Sequence, residues 1–334
     1  MAAPAPDHAI ARGRAGAGLL AHIVVSKYDD HLPLYRQAEI FARDGVSLET
    51  STLCGWVGAT AATLQPLVDA LAVEVLASDN LHVDDTPVPV LAPGTGKTKT
   101  GRLWTYVRDE RPFGGSRKPA ALFFYSPDRK GEHPQAHLKQ FRGVIHADGY
   151  AGLNELFAGG RIVEAGCWAH VRRKFFDVHA ATGSPIAKEA LDRIAQLYAV
   201  EKIIKGSPPE RRRQQRQLSR KSELAQAFRY MRARWTALVR CFDDGRLALD
   251  NNPAERALRC VAIGRKNYLF AGSDAGGRRV AALYSLIESA KLNGLNPQHY
   301  LADVLARIAD HSARRLAELL PWNWQPIGAT RAAA

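Results

Sequence analysis

Cysteine is scarce in this chain: only Cys54, Cys167, Cys241 and Cys260 occur in 334 residues. No two stand at C-x-x-C spacing, which excludes a disulfide-stapled scaffold and a thiolate zinc cluster. Cys167 and His170 form an isolated C-x-x-H, and two ligands are too few for structural zinc. Such thiols suit a reducing cytosol. Long apolar runs are also lacking. "LLAHIVV" at 19–25 is short and broken by His22, against the expectation for a signal peptide. No stretch approaches the ~20 apolar residues that span a bilayer. These absences predict a soluble cytoplasmic protein with no membrane association.

Acidic residues are the third shortage. Asp and Glu number 33 against 46 Lys and Arg, giving a net charge of +13 at pH 7. A surplus of that size favours a polyanionic partner, nucleic acid ahead of a membrane surface. What is present is otherwise ordinary: 46% hydrophobic and 24% charged residues, enough for a full-sized core. No internal repeat or long low-complexity segment interrupts it.

Residues 1–18 read as a disordered lead-in, and 19–79 as a helical segment. Within it Trp56, Thr60, Leu64, Leu67, Val68 and Leu71 recur mostly at three- and four-residue steps. The period then changes. "LHVDDTPVPVL", "RLWTYVRD" and "AALFFYSP" are short, rich in Val, Phe, Tyr and Leu, and bounded by Gly and Pro, predicting three consecutive strands. "HPQAHLKQF" reads as a helix, "GVIHADGY" as a buried strand ending in Asp148, "AGLNELF" as a helix and "RIVEAGCW" as a strand. That order predicts an α/β fold with a mixed sheet carrying helices on its faces.

Helical pattern follows. Leu224, Phe228, Met231, Trp235 and Leu238 form an apolar seam. Eleven Lys or Arg face only Glu210 and Glu223 between 205 and 240, which fits either a solvated face or contact with nucleic acid. A basic turn, "IGRKNYLFAGSDAGGRR", and a helical tail from 278 to 318 complete the reading. The segments are therefore 80–175 as the first part of a core, 176–245 as a basic all-helical insertion, 246–275 as core completion, and 276–334 as a helical tail.

"LAPGTGKT" ends like a phosphate-binding loop, but Leu91 occupies the position of its first glycine and a strand follows, so a turn between strands is expected. The two histidines of "HPQAH" lack the zincin Glu. Three carboxylates carry more weight. Asp84 lies in the first strand and Asp148 ends the fourth. On neighbouring strands, two such groups repel unless a cation joins them. Glu255, in "LDNNPAERALR", is the best-placed third oxygen ligand for Mg²⁺ or Mn²⁺. Its alternative reading is a helix start, with Asn252 as N-cap, Pro253 at the first helical position and Glu255 reaching back as a capping-box residue.

The segment "LLAHIVVSKYDDHLPLYRQAEIFARDGVSLETSTLCGWVG" resembles the opening of the catalytic region of the insertion sequence 66 family of bacterial transposases. "LHVDDTPVPVL", "HADGYAGLNELF", "CWAHVRRKFFD", "LDNNPAERALR" and "IGRKNYLFAGSDAGGRRVAALYSLIESAKLNG" resemble its successive motifs, in order, over nearly the whole chain. The resemblance implies a ribonuclease H-like fold: a five-stranded mixed sheet flanked by helices, with the helical insertion before the last catalytic helix. It implies a DNA transposase with an Asp-Asp-Glu triad, carried onto Asp84, Asp148 and Glu255, holding two Mg²⁺ or Mn²⁺ ions. It also implies transposon ends and target DNA as partners, a homo-oligomeric synaptic complex, and small accessory proteins.

Two departures stand out. The family's first motif usually reads Asp-Glu-Thr; here it is Asp84-Asp85-Thr86, and alternation along a strand favours Asp84 while leaving Asp85 open. The family's usual N-terminal DNA-binding extension is expected to be missing. His170, Arg172, Arg173 and Lys174 follow the fifth strand and are read as phosphate contacts rather than a solvated helix surface. Asn251, Asn252 and Arg256 flank Glu255 as DNA- or water-positioning residues or as caps, and Arg265 and Lys266 follow. The rivals are a ribonuclease H-like nuclease without strand transfer and a truncated, non-catalytic DNA-binding remnant.

Overall fold

The computed structural model describes residues 8–10, 13–92, 94–220, 235–268 and 270–327. Three helices open the chain: α1 (Ala17–Tyr28), α2 (Leu34–Arg43) and α3 (Thr50–Leu76). Three strands follow, β1 (Asn80–Ala92), β2 (Lys97–Arg108) and β3 (Ala120–Ser126). Then come α4 (Glu132–His137), β4 (Gly143–Ala147), α5 (Asn154–Ala158) and β5 (Ile162–Gly166). The sheet order is β3-β2-β1-β4-β5, with β1–β2–β3 antiparallel and β4 and β5 parallel to β1. This is the five-stranded mixed sheet of the ribonuclease H-like fold.

The strand period explains the arrangement. β1 and β2 pair from His82↔Val107 to Ala92↔Lys97, and the glycine-rich stretch turns between them with Gly94 at φ 82° and Gly96 at φ 65°. "LAPGTGKT" is thus a hairpin turn, where those conformations exclude most side chains. β3 is an edge strand, yet three of its outward backbone groups find side-chain partners. Ser285 Oγ accepts the Phe123 N–H at 2.8 Å, and Ser289 Oγ both accepts from Ala121 N and donates to Ala121 O at 3.0 Å. Those serines belong to α12 (Asp274–Leu292), which replaces a sixth strand along the edge. The expected helical tail is therefore a core element, with Leu283, Leu286, Ile287 and Ala290 fully buried.

α3 qualifies the membrane expectation. It is long and apolar enough to cross a bilayer by length and composition. Here Leu53, Leu64, Leu67, Leu71 and Val75 are buried in the main core with α1, the sheet, α12 and α13 (Pro297–Arg307). Ala15 is buried, and the Ala9 carbonyl accepts the Thr63 hydroxyl at 2.8 Å, because small apolar residues fit closely against α3.

A second core belongs to the helical stretch: α6 (Trp168–Thr182), α7 (Pro185–Ile204), α8 (Pro209–Arg220) and α9 (Trp235–Asp243). It is built from Trp168, Ile194, Leu197, Leu238 and Phe242, against Ala165 of β5. Of the apolar seam, Leu224, Phe228 and Met231 lie outside the described residues, and Leu238 continues it into this core. Two arginines read as part of a basic face are interior instead. Arg212 and Arg216 are 0% and 2% exposed, paired with opposite oxygens of Glu201 at 2.7 and 2.5 Å. Arg212 also donates to Gly245 O, and Arg216 to Cys241 O and Leu247 O. α8 carries an ion-paired knot because a buried guanidinium must find acceptors for all its donors.

The segment after Glu255 also differs from expectation. α10 (Asn252–Ala257) is followed by α11 (Arg259–Asn267) where a basic turn was predicted. Gly264, read as a turn signal, lies inside α11; a side chain there would meet the Tyr268 hydroxyl at 2.4 Å, so close packing accounts for the glycine.

Candidate active site

The site is assembled where β1, β4 and β5 run parallel. His82 of β1 pairs with His146 of β4, the last pair of that ladder, and Asp84 and Asp148 each lie two residues beyond it. The two imidazoles stack at 4.3 Å. Burial holds His82 down at about 4 and His146 well below its usual range, so both are neutral fillers beneath the carboxylates.

A single segment fixes the third carboxylate. Asn251, fully buried, donates to Val83 O at 2.7 Å and meets His82 Nδ1 at 3.2 Å. Its N–H donates to Cys167 Sγ at 3.3 Å, and Trp168 N–H donates to Leu249 O at 2.9 Å. Residues 248–251 are thereby stitched to β1 and to the end of β5. Asn251, not Asn252, is the N-cap of α10, and its side chain serves the sheet rather than the helix. Asn252 is the first helical residue and bonds Asp250 at 2.7 Å. The capping-box reading of Glu255 fails too. Its Oε1 is buried without a hydrogen-bond partner and lies 3.6 Å from His170 Nδ1, which is likewise unpartnered.

Asp84 and Asp85 separate by strand alternation. Asp85 is 3% exposed at its side chain and clamped by Arg102 and Arg129, each at 2.9 Å. Arg129 stacks on the Tyr150 ring at 3.9 Å, and Tyr150 N–H donates to Asp148 Oδ1 at 2.9 Å. Asp85 thus holds the loop that carries Asp148. Asp84 points the other way, with no cation paired to it among the described residues. Burial raises its pKa to about 7, and the charges of Asp148 and Glu255 add to the rise.

Asp84, Asn252, Glu255 and Arg256 line one open cleft of about 450 Å³, together with Asp85, Thr86 and Arg259. Asp148 is exposed after β4 and does not line it. The tightest set of ligand-type atoms here is Cys167, His170 and Glu255, all within 4.8 Å, rather than the three carboxylates. The residues nonetheless fit a hard divalent cation. An orphaned carboxylate oxygen on Glu255 and a half-buried Asp84, which accepts the Asp85 N–H but has no ion pair among the described residues, share the cleft, whereas Cys167 sulfur already accepts an N–H and burial lifts its thiol to about 11. Arg172, Arg173 and Lys174 are exposed along α6 and Lys266 along α11; Arg265 reaches Pro87 O. None of these five lines the cleft.

Residues 12–279 match the family model described as Transposase IS66 family, and residues 285–322 match the IS66 C-terminal element. The chain belongs to the IS66 transposase family. Three curated proteins of Sinorhizobium fredii (strain NBRC 101917 / NGR234) are similar along nearly its whole length. Uncharacterized protein y4hP is 42% identical over 98% of this chain and 65% of its own. Uncharacterized proteins y4jD and y4qI are 40% and 38% identical over 97% and 96% of it, and 69% and 65% of their own lengths. The IS66 chain thus spans about two thirds of these relatives. Within IS66 boundaries the first model covers the sheet, the helical stretch and Glu255, and the second begins inside α12.

Sequence reasoning missed the Asp85–Arg129–Tyr150 support, the Asn251 stitch and Arg259. Asn251 and Arg259 both lie inside "LDNNPAERALR", and Asn251 was expected to position DNA or water rather than to bind the sheet; no local pattern links Arg129 to a carboxylate 44 positions earlier.

Proposed function

We propose that this IS66 chain carries the catalytic region of a DNA transposase, cutting at the 3′ ends of an insertion sequence and joining them to target DNA. Asp84, Asp148 and Glu255 would hold two Mg²⁺ or Mn²⁺ ions. When bound, those ions would activate the attacking oxygen and stabilise the leaving one. In the first step water forms a bond to phosphorus, and the released 3′ oxygen takes a proton. In the second that 3′-hydroxyl attacks a target phosphodiester, exchanging one P–O bond for another. Arg256 and Arg259 at the cleft rim are suited to phosphate, and His170 Nδ1 lies 3.6 Å from the Glu255 carboxylate.

The observation that carries this reading is the unpartnered Glu255 oxygen sharing a cleft with an uncompensated Asp84. The two separate apolar cores support treating 176–245 as an insertion between 80–175 and 246–275. The reading entails DNA ends and target as partners, a homo-oligomeric synaptic complex with accessory proteins, and the bacterial cytoplasm.

The test is strand transfer from pre-cut element ends into plasmid with Mn²⁺, comparing wild type with Asp148→Ala and Glu255→Ala. Joined product from wild type alone supports the proposal. Metal-dependent nicking without joining reduces the activity to a nuclease. DNA binding without any cleavage or joining, unchanged in Asp148→Ala, would leave only a binding role.

A further inference from the structure

A second, deeper pocket lies beside the cleft. Thr86, Leu258 and Ala262 line the cleft, while Val88, Val261 and Arg265, on the same strand and helix, line the pocket. Its volume is about 220 Å³, small against the ~300 Å³ where most ligand sites begin. It therefore suits one small ligand, on the scale of a single nucleotide, rather than an extended chain.

The walls are aromatic and the charges are all positive. Tyr28, Tyr268 and Tyr284 form a packed group, with Tyr28 and Tyr284 edge to face at 5.6 Å and the Tyr268 and Tyr284 hydroxyls 2.6 Å apart. Phe270 stands at the rim, 44% exposed. Lys27 Nζ lies 4.4 Å from the Tyr268 ring centre and 5.4 Å from that of Tyr28. Arg265 and Arg279 complete the lining, and no Asp or Glu contributes to it. Among the described residues none of these three cations has a carboxylate ion pair. Arg279 is seated against α3 at Gly58, where any side chain would come within 3.1 Å of its guanidinium carbon. Burial lowers the Lys27 pKa with no carboxylate to offset it, so an anion there would be gained at little cost.

We propose that this pocket takes a single nucleotide, its base against Tyr268 and Phe270 and its phosphate on Arg265, Arg279 and Lys27. Base–aromatic stacking and guanidinium–phosphate pairing are the chemistry these walls offer. The nucleotide has two possible sources, an unpaired residue in a bound DNA strand or a free mononucleotide. The first rests on the transposase reading. Asp84 and Val88 are four residues apart, roughly 13 Å along a strand. At ~3.4 Å per stacked nucleotide, a phosphate at Asp84 puts the fourth nucleotide beside the pocket.

The test has two arms. In the first, 5-iododeoxyuridine is placed singly at positions one to six from the joining 3′ end, irradiated with the full chain, and the cross-linked peptide is sequenced. Cross-linking to Tyr268 or Phe270 from about the fourth position is expected, falling at least tenfold in Arg265→Ala/Arg279→Ala. In the second, thymidine 5′-monophosphate is titrated alone by equilibrium dialysis against the same variant and Phe270→Ala. Cross-linking assigns the pocket to DNA. Saturable mononucleotide binding that the variants weaken, without cross-linking, assigns it to a free nucleotide and leaves the pocket standing if the DNA reading fails. Bound DNA cross-linked only elsewhere, together with no mononucleotide binding, overturns the proposal.

Discussion

At the scale of single residues, adjacent carboxylates do opposite things. Asp85 neutralises two arginines, and removing it leaves Arg102 and Arg129 uncompensated. Asp85→Ala is expected to cost about 2 kcal/mol in urea unfolding, below the 3–5 kcal/mol of a fully buried pair because Arg129 is 39% exposed. Asp84→Asn should leave stability unchanged or slightly raised, since its burial and charged neighbours disfavour ionisation, while abolishing joining. If both cost stability equally, the division of roles is wrong. Alternation along β1 made half of this legible in the sequence; the Arg129 clamp was not, being a contact across 44 residues. A second residue-scale expectation concerns His137. Its ring stacks on Phe124 at 4.3 Å, and its Nδ1 shares a hydrogen bond with the Tyr106 hydroxyl at 2.8 Å. Burial holds its pKa at about 4, against 6.5 when unfolded. The unfolded chain therefore binds the proton first, and stability falls as pH drops from about 6.5 to 4, by up to ~3 kcal/mol for this group. His137→Gln should flatten that part of the stability–pH curve; an unchanged slope would remove His137 from the account.

At the scale of elements, the helical stretch is held by charge as well as by its apolar core. Glu201 of α7 neutralises both interior arginines of α8, whose remaining donors reach carbonyls of Gly245, Cys241 and Leu247. Glu201→Ala strands two buried cations and is expected to cost about 3–5 kcal/mol. Because this core is separate from that of the sheet, hydrogen exchange should show lost protection in α7–α9 with β1 and β2 still protected. Uniform loss across both would mean that the two cores unfold as one. The five strands were legible because their period and punctuation are local. α11 was not, because its glycine packs against the hydroxyl of a tyrosine four residues on, and Gly in sequence signals a turn. The cap of α10 was displaced by one residue for a similar reason: Asn251 is spent on His82 and Val83. Local rules assign a side chain to its own element, and a buried amide answers to whichever element encloses it.

At the scale of the molecule, a net charge of +13 overstates what is available to DNA. Arg108, Arg212 and Arg216 are buried, and Arg102 and Arg129 are committed to Asp85. The cations that remain outside ion pairs among the contacts named from the sequence are Arg172, Arg173, Lys174, Arg256, Arg265 and Lys266. Counterion release predicts a slope of about −0.9 per phosphate contact in log K against log salt, so six contacts give roughly −5 and about a thousandfold loss between 50 and 200 mM salt. Replacing Arg172, Arg173 and Lys174 together by Gln should bring the slope near −3 if α6 tracks the phosphate backbone. Since all three are exposed, the substitution leaves the fold intact and reports on binding alone. A slope that stays near −5 would move the DNA path away from α6 and toward Arg256 and the aromatic pocket beside it. The distribution of charge, not its sum, then decides where the strand lies, and that distribution follows from which arginines the fold has already buried.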